Sequence, residues 1–78
     1  MARLRLFGPV ADLAGRRADV VPGSTLDEVL GAACARYGEG FARALERCRV
    51  WVNGAVAAPA AVLSDDDEVA LLPPVSGG

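Results

Sequence analysis

Apolar and polar residues alternate over Arg3-Leu4-Arg5-Leu6, the period of two that predicts a strand with leucines inward and arginines outward. Phe7 then falls on the arginine face. Gly8 to Gly15 predicts a connector in which Ala11 to Ala14 form one helical turn. Arg17 to Val21 predicts a second strand, with Ala18 and Val20 on one side, and Pro22-Gly23 is a turn signal that ends it. From there the period lengthens. Leu26, Val29, Leu30, Ala33 and Tyr37 share one face of a helix. Thr25-Leu26-Asp27-Glu28 fits a capping box, in which the Thr hydroxyl and the Glu carboxylate each accept a free backbone N–H at the helix start. Gly38 fits a left-handed residue at its end. A shorter helix from about Gly40 to Arg47 would bury Phe41 and Leu45.

Strand character returns at Arg49 to Val52, with Val50 and Val52 facing one way and Trp51 the other. Asn53-Gly54 is a two-residue hairpin signal, because both positions tolerate positive φ. A brief strand over Ala55 to Ala57 follows. Ser64 to Asp67 predicts an acidic turn, and Glu68 to Leu72 the last strand, with Val69 and Leu71 inward and Leu72 outward. Pro73-Pro74 ends the ladder, since neither residue can donate a backbone hydrogen bond. The order strand, strand, helix, strand, strand, strand predicts an α+β domain over residues 1–72. In it, one main helix packs on one face of a small mixed sheet of four or five strands. Residues 73–78 form an extended C-terminal tail.

Composition sharpens this picture by what it lacks. The chain has 78 residues, 53% of them apolar, enough for one domain with a core. Its net charge of −2 argues against nucleic acid and anionic membranes as partners. All eight basic residues are arginine, and there is no lysine and no histidine. The usual side-chain general bases and amine nucleophiles are therefore missing. Cys34 and Cys48 are spaced for neither a metal pair nor a redox motif and read as small apolar residues of a reduced, cytoplasmic protein. Asp65, Asp66, Asp67 and Glu68 lack the spacing of a calcium loop and occupy a turn, where Asp is favoured for backbone reasons. No metal site is expected. No apolar run approaches the ~18 residues of a membrane span.

The candidate chemistry lies in Pro73-Pro74-Val75-Ser76-Gly77-Gly78. Two prolines keep the exit extended, and six residues at ~3.1–3.4 Å each carry the last carboxylate about 20 Å from the sheet. Gly77 and Gly78 have no side chain and fit a channel too narrow for other residues. Phe7 with Leu13-Ala14-Gly15, Thr25-Leu26, Val52-Asn53-Gly54, the Leu63 to Val69 turn and this ending together resemble the MoaD/ThiS family of ubiquitin-like sulfur carriers. The likeness is strongest to the small subunit of molybdopterin synthase. Asp66 departs from the Gly common at its position, a modest change because Asp tolerates the left-handed conformation.

The resemblance implies a β-grasp fold whose first and last strands pair in parallel at the centre. It implies that the working group is the Gly78 carboxylate. An ATP-dependent, MoeB-like activating enzyme would adenylate it and convert it to a thiocarboxylate. The tail, Pro73 to Gly78, would then enter the active site of a MoaE-like large subunit, within a heterotetramer, and donate sulfur to a pyranopterin precursor. ATP and any metal would belong to the activating enzyme, and the carrier would hold no stable cofactor. Phe7, Val56 and Leu72 match the apolar positions with which the small subunit docks. Trp51 fits either that patch or a place under the last loop, and Arg3 and Arg5 fit either a solvated face or ion pairs with a partner. The alternatives are a carrier serving thiamine thiazole, cysteine or thio-metabolite synthesis, a ubiquitin-like tag joined to protein lysines, or a plain interaction domain.

Overall fold

The computed structural model describes residues 1–74. Five strands form one mixed sheet: β1 (Ala2–Leu6), β2 (Ala18–Val21), β3 (Arg49–Val52), β4 (Ala55–Val56) and β5 (Glu68–Leu72). Their order across the sheet is β2-β1-β5-β3-β4. β1 and β5 pair in parallel at the centre, and the other three pairings are antiparallel. This is the β-grasp arrangement expected from the family resemblance. Alternation does the sorting, since Leu4, Leu6, Val69 and Leu71 all point to one face and are fully or almost fully buried. In β2 the inward residues are Asp19 and Val21, which leaves Ala18 and Val20 on the outer face.

Three helices cover the inner face: α1 (Pro9–Ala14), α2 (Leu26–Tyr37) and α3 (Glu39–Leu45). α2 is the long element, and it buries Leu26, Val29 and Ala33. Its cap differs in one bond from the expected box. Thr25 Oγ1 accepts from the Glu28 N–H at 3.2 Å, but the Glu28 carboxylate accepts from the Ser24 N–H at 2.7 Å rather than from Thr25. The antiparallel bridge that pairs Thr25 with Val62 is closed by its neighbours, the Ser24 carbonyl and the Leu26 N–H. Gly38 has φ 96° and ψ −176°, outside the left-handed helical region that was expected, because it serves at once as the end of α2 and the start of α3. α1 is longer than the one turn expected. Pro9 begins it, and Val10 joins the core with no exposed surface. α3 buries Phe41 completely and Leu45 only in part.

The Asn53-Gly54 turn has φ values of 51° and 82°, both positive as a tight hairpin between right-twisted strands requires. The strand it opens is Ala55–Val56, one residue shorter than the pattern suggested. The long return to β5 runs beside the start of α2. There Leu26 N–H donates to the Ala61 carbonyl at 3.0 Å and Leu63 N–H to the Ser24 carbonyl at 2.8 Å. The acidic turn closes locally. Asp67 accepts from the Ser64 N–H at 2.8 Å and from the Asn53 side-chain amide at 2.9 Å, and these bonds hold its carboxyl below the usual range.

Asp19 ties the edge strand to α2. Its side chain is 10% exposed and accepts hydrogen bonds from Arg36 at 2.7 Å and from the Tyr37 hydroxyl, with Arg16 at 3.2 Å. Burial pushes this carboxyl up, but the Tyr37 and Arg36 bonds outweigh it and leave the pKa at about 2 rather than 3.8. A depressed carboxyl stabilises the fold above its unfolded pKa and loses that contribution as pH falls through the folded one. Because Arg36 is 42% exposed, screening leaves about 1–2 kcal/mol of the nominal effect. Asp19→Asn should therefore cost about that much at pH 7 in urea unfolding, with the gap from the parent closing between about pH 4 and about pH 2. An unchanged gap across that window would show that Asp19 acts through its shape and not its charge.

Candidate functional site

The face of the sheet opposite the helices holds the residues predicted to dock. The β1–β5 register pairs Leu6 with Leu71, and Phe7 extends this ladder by donating its N–H to the Leu71 carbonyl at 3.2 Å. Phe7 therefore stands beside Leu72 where the central strands end. Phe7 is 40% exposed, Leu72 is half-buried, and both belong to the outer face. Val56 is 81% exposed on the neighbouring hairpin. It is not adjacent to Leu72. Trp51 lies between them, paired with Ala70 on one side and Val56 on the other. Trp51 is also absent from the hydrophobics packed against the core, whereas its neighbours Val50 and Val52 are among them. Trp51 therefore lies on the outer face, half-buried beside the apolar strip.

Charged side chains frame this apolar strip. Arg5 lies 3.6 Å from the Glu68 carboxylate, and its guanidinium is 6.0 Å from the centre of the Phe7 ring. Arg3 pairs in register with Glu68, and Arg49 with Leu72. Arg5 therefore has an ion-pair partner within the chain, one worth little at such exposure.

Pro73 and Pro74, both exposed, continue directly from β5. Their exit lies beside a groove of about 510 Å³ lined by Pro9, Val10, Arg43, Arg47, Cys48 and the two prolines themselves. Cys48 is a free thiol whose Sγ lies 3.4 Å from the Ala44 carbonyl. Burial pushes the Cys34 and Cys48 thiols above their ordinary pKa, so both remain protonated near neutral pH and are poor nucleophiles. Among the described residues, no three His, Cys, Asp or Glu side chains converge as metal ligands, and no helix is long and apolar enough to cross a membrane. Val75, Ser76, Gly77 and Gly78 lie outside the described residues.

Within the described residues, then, the arrangement offers an exposed apolar strip beside the point where Pro73 and Pro74 leave the sheet. The strip was legible as residue parity along each strand. Its Trp51 member required the pairing register.

Comparison with known proteins agrees with this geometry. The family model described as ThiS family matches residues 4–78. No curated protein matches at a significant level. Among solved structures, the chain is similar to SAMP1, a small archaeal modifier protein of Haloferax volcanii, at 31% identity and a TM-score of 0.79, covering 99% of this chain and 98% of that one. It is also similar to a chain in the complex of subunits 1 and 2 of molybdopterin-converting factor from Helicobacter pylori. There the identity is 29% and the TM-score 0.72, over 99% of this chain and 97% of that one. A structure of the BexX/CysO complex of Amycolatopsis orientalis shares the fold at 20% identity and a TM-score of 0.81, over the full length of both chains. The chain belongs to the ThiS family and is a MoaD/ThiS-like protein of ubiquitin-like fold, of the class that comprises sulfur carriers and ubiquitin-like modifiers.

Proposed function

We propose that this chain is a sulfur carrier, the small subunit of a molybdopterin synthase, with the Gly78 carboxylate as its working group. The observation that carries the reading is the parallel β1–β5 pairing. It sets Phe7 beside Leu72 at the point where Pro73 and Pro74 leave the sheet. A partner seated on the apolar strip therefore lies next to the root of the tail. The 29% identity to a chain of the molybdopterin-converting factor complex supports the assignment of pathway.

The chemistry follows from the group. A carboxylate resists nucleophilic attack, so it is first joined to AMP from ATP with release of pyrophosphate. A sulfur donor then displaces AMP and leaves a thiocarboxylate. A MoeB-like activating enzyme performs these steps, and a MoaE-like large subunit receives the sulfur for a pyranopterin precursor in the active heterotetramer. The carrier contributes the arm, the docking strip and no base of its own. It holds no stable cofactor and acts in the cytoplasm.

A second reading, a modifier joined to protein lysines, is favoured by the 31% identity to SAMP1. The absence of lysine bears on it, since this chain offers no side-chain amine on which it could be extended into a polymer. Co-purification followed by intact mass separates the two. A carrier yields a free chain that gains the mass of an oxygen-to-sulfur exchange, bound to a large subunit. A modifier yields isopeptide ladders, and their appearance without any sulfur-bearing chain would refute the carrier assignment. In the same pull-down, Phe7→Asp should lower recovery of the large subunit about 10-fold or more while shifting unfolding little, since an exposed contact anchor contributes to binding rather than to the core. Equal losses in both would place Phe7 in the fold instead.

A further inference from the structure

The direction in which the tail leaves the sheet is set at a backbone position far from it in sequence. Gly8 joins β1 to α1 with φ 66° and ψ −141°, a conformation that residues with side chains rarely adopt. A Cβ placed on it would lie 3.2 Å from Cβ and 3.3 Å from Cγ of Pro73, inside the roughly 3.5–4.0 Å of favourable carbon contact. The Pro73 ring therefore occupies space that exists only because residue 8 has no side chain.

The two sides of this contact differ in their freedom to move. Gly8 is held on both flanks. Phe7 donates its N–H to the Leu71 carbonyl at 3.2 Å. The Gly8 carbonyl accepts from Ala11 at 3.0 Å and from Asp12 at 3.3 Å, and Val10 is locked in the core. Pro73 is exposed and, lacking an N–H, has no donor with which to join the ladder. A side chain at position 8 would displace Pro73 rather than the turn.

We infer that Gly8 is a positioning residue for the tail, a bare seat for Pro73 that fixes the angle at which Pro73-Pro74 leaves β5. The inference rests on the reading of Gly78 as the working group. Opening the contact by about 0.4 Å, some 3.8 Å beyond the last ladder residue, tilts the Pro73-Pro74 exit by roughly 6°; for an arm kept extended, as the two prolines predict, that tilt would move a tip ~19 Å away by about 2 Å. Misplacing a reacting group on the order of 1 Å costs about 100-fold in rate. Gly8→Ala alters no side chain of the outer-face strip, so the loss should fall on kcat more than on KM.

The test compares the parent with Gly8→Ala, Pro73→Gly and the double variant, each bearing Cys34→Ser and Cys48→Ser. Spin labels on Val62→Cys and Ser76→Cys report the direction of the tail. A second set without labels is assayed with the activating enzyme, ATP and sulfide for thiocarboxylate formation. Gly8→Ala should shift the label distance by about 2 Å and lower kcat about 100-fold with KM little changed. In the Pro73→Gly background, Gly8→Ala should change neither quantity further, although its backbone strain should lower the melting temperature in both backgrounds. An unmoved label distance overturns the inference, and so do equal changes in both backgrounds, which would mean that strain at Gly8 acts without Pro73. If the parent itself gains no sulfur, the carrier reading fails, and the label distances still decide whether Gly8 seats the tail.

Discussion

Deleting Gly78 is expected to abolish sulfur loading while leaving the melting temperature of the domain where it was. Among the described residues the buried side chains of the core all lie between Ala2 and Leu71, and the deletion of a glycine removes no side chain, so the packing that holds the sheet to its helices is expected to persist. The same deletion draws the terminal carboxylate back by about 3.3 Å, one residue of extended chain. A shift of that size removes the carboxylate from the reach of an activating site, and a loss well beyond about 100-fold follows from the steep dependence of rate on position. Gly78→Ala is the milder companion. It restores the length and adds one methyl where the channel must be narrow, and it should load sulfur more slowly than the parent but faster than the deletion. Intact mass after incubation with the activating enzyme, ATP and sulfide reads all three chains. Normal loading of the deleted chain would remove Gly78 from the chemistry altogether.

Under the proposed carrier function, a division of labour between body and tail accounts for the composition. A carrier is handled by at least two enzymes in turn, and each must recognise it without being imitated by it. Bases, metals and nucleotide sites can all reside on the partners. What such a carrier must supply is an interface and an arm, and the described residues offer an exposed apolar strip beside the Pro73-Pro74 exit, built from residues of no intrinsic reactivity. Phe7 and Leu72 meet because β1 and β5 run in parallel. Trp51 extends the strip because β3 follows β5 in the sheet. Cys34 and Cys48, the groups that would otherwise invite nucleophilic chemistry, are held protonated by burial.

The legible parts of this architecture are those written in local sequence. The alternation of Arg3 to Leu6 and of Glu68 to Leu72 gives the correct faces. Asn53-Gly54 gives the hairpin, and the periodicity from Leu26 to Tyr37 gives the main helix. α1 extends two residues N-terminal of the turn that Ala11 to Ala14 predicts, and the signal for this is local: Pro9 fits the first position of a helix, where its missing N–H would be unpaired anyway. Other features depend on pairs distant in the chain. The clustering of Asp19 with Arg36 and Tyr37 arises only when β2 lies against α2, and no spacing announces it. The place of Trp51 follows from register, which a strand's own pattern does not specify beyond the choice of face. Gly8 reads only as the start of a connector, and its meeting with Pro73 requires the parallel pairing that brings the ends of β1 and β5 together.

That same dependence on non-local packing makes Phe41→Ala the substitution with the largest expected cost to stability. α3 spans only Glu39–Leu45. A helix so short gains little from propensity and holds its shape because one face is buried. Phe41 supplies that face: it has no exposed surface, and its ring centre lies 5.0 Å from that of Tyr37 at a tilt of 51°. Truncating a buried Phe removes apolar contact and leaves a cavity, at about 3–5 kcal/mol. A domain of this size is stable by only about 4–12 kcal/mol in total. The loss therefore takes a large share of the whole and should lower the melting temperature by some 15–30 °C. Phe41→Leu, which keeps most of the volume, should cost about 1–2 kcal/mol. Loosening α3 also frees the groove wall formed by Arg43 and Arg47 beside Pro73 and Pro74. Below its lowered midpoint, Phe41→Ala should therefore load sulfur more slowly than its folded fraction alone dictates. Urea unfolding of both variants decides the first point. A cost below about 1 kcal/mol for Phe41→Ala would mean that α3 is held by contacts other than this ring.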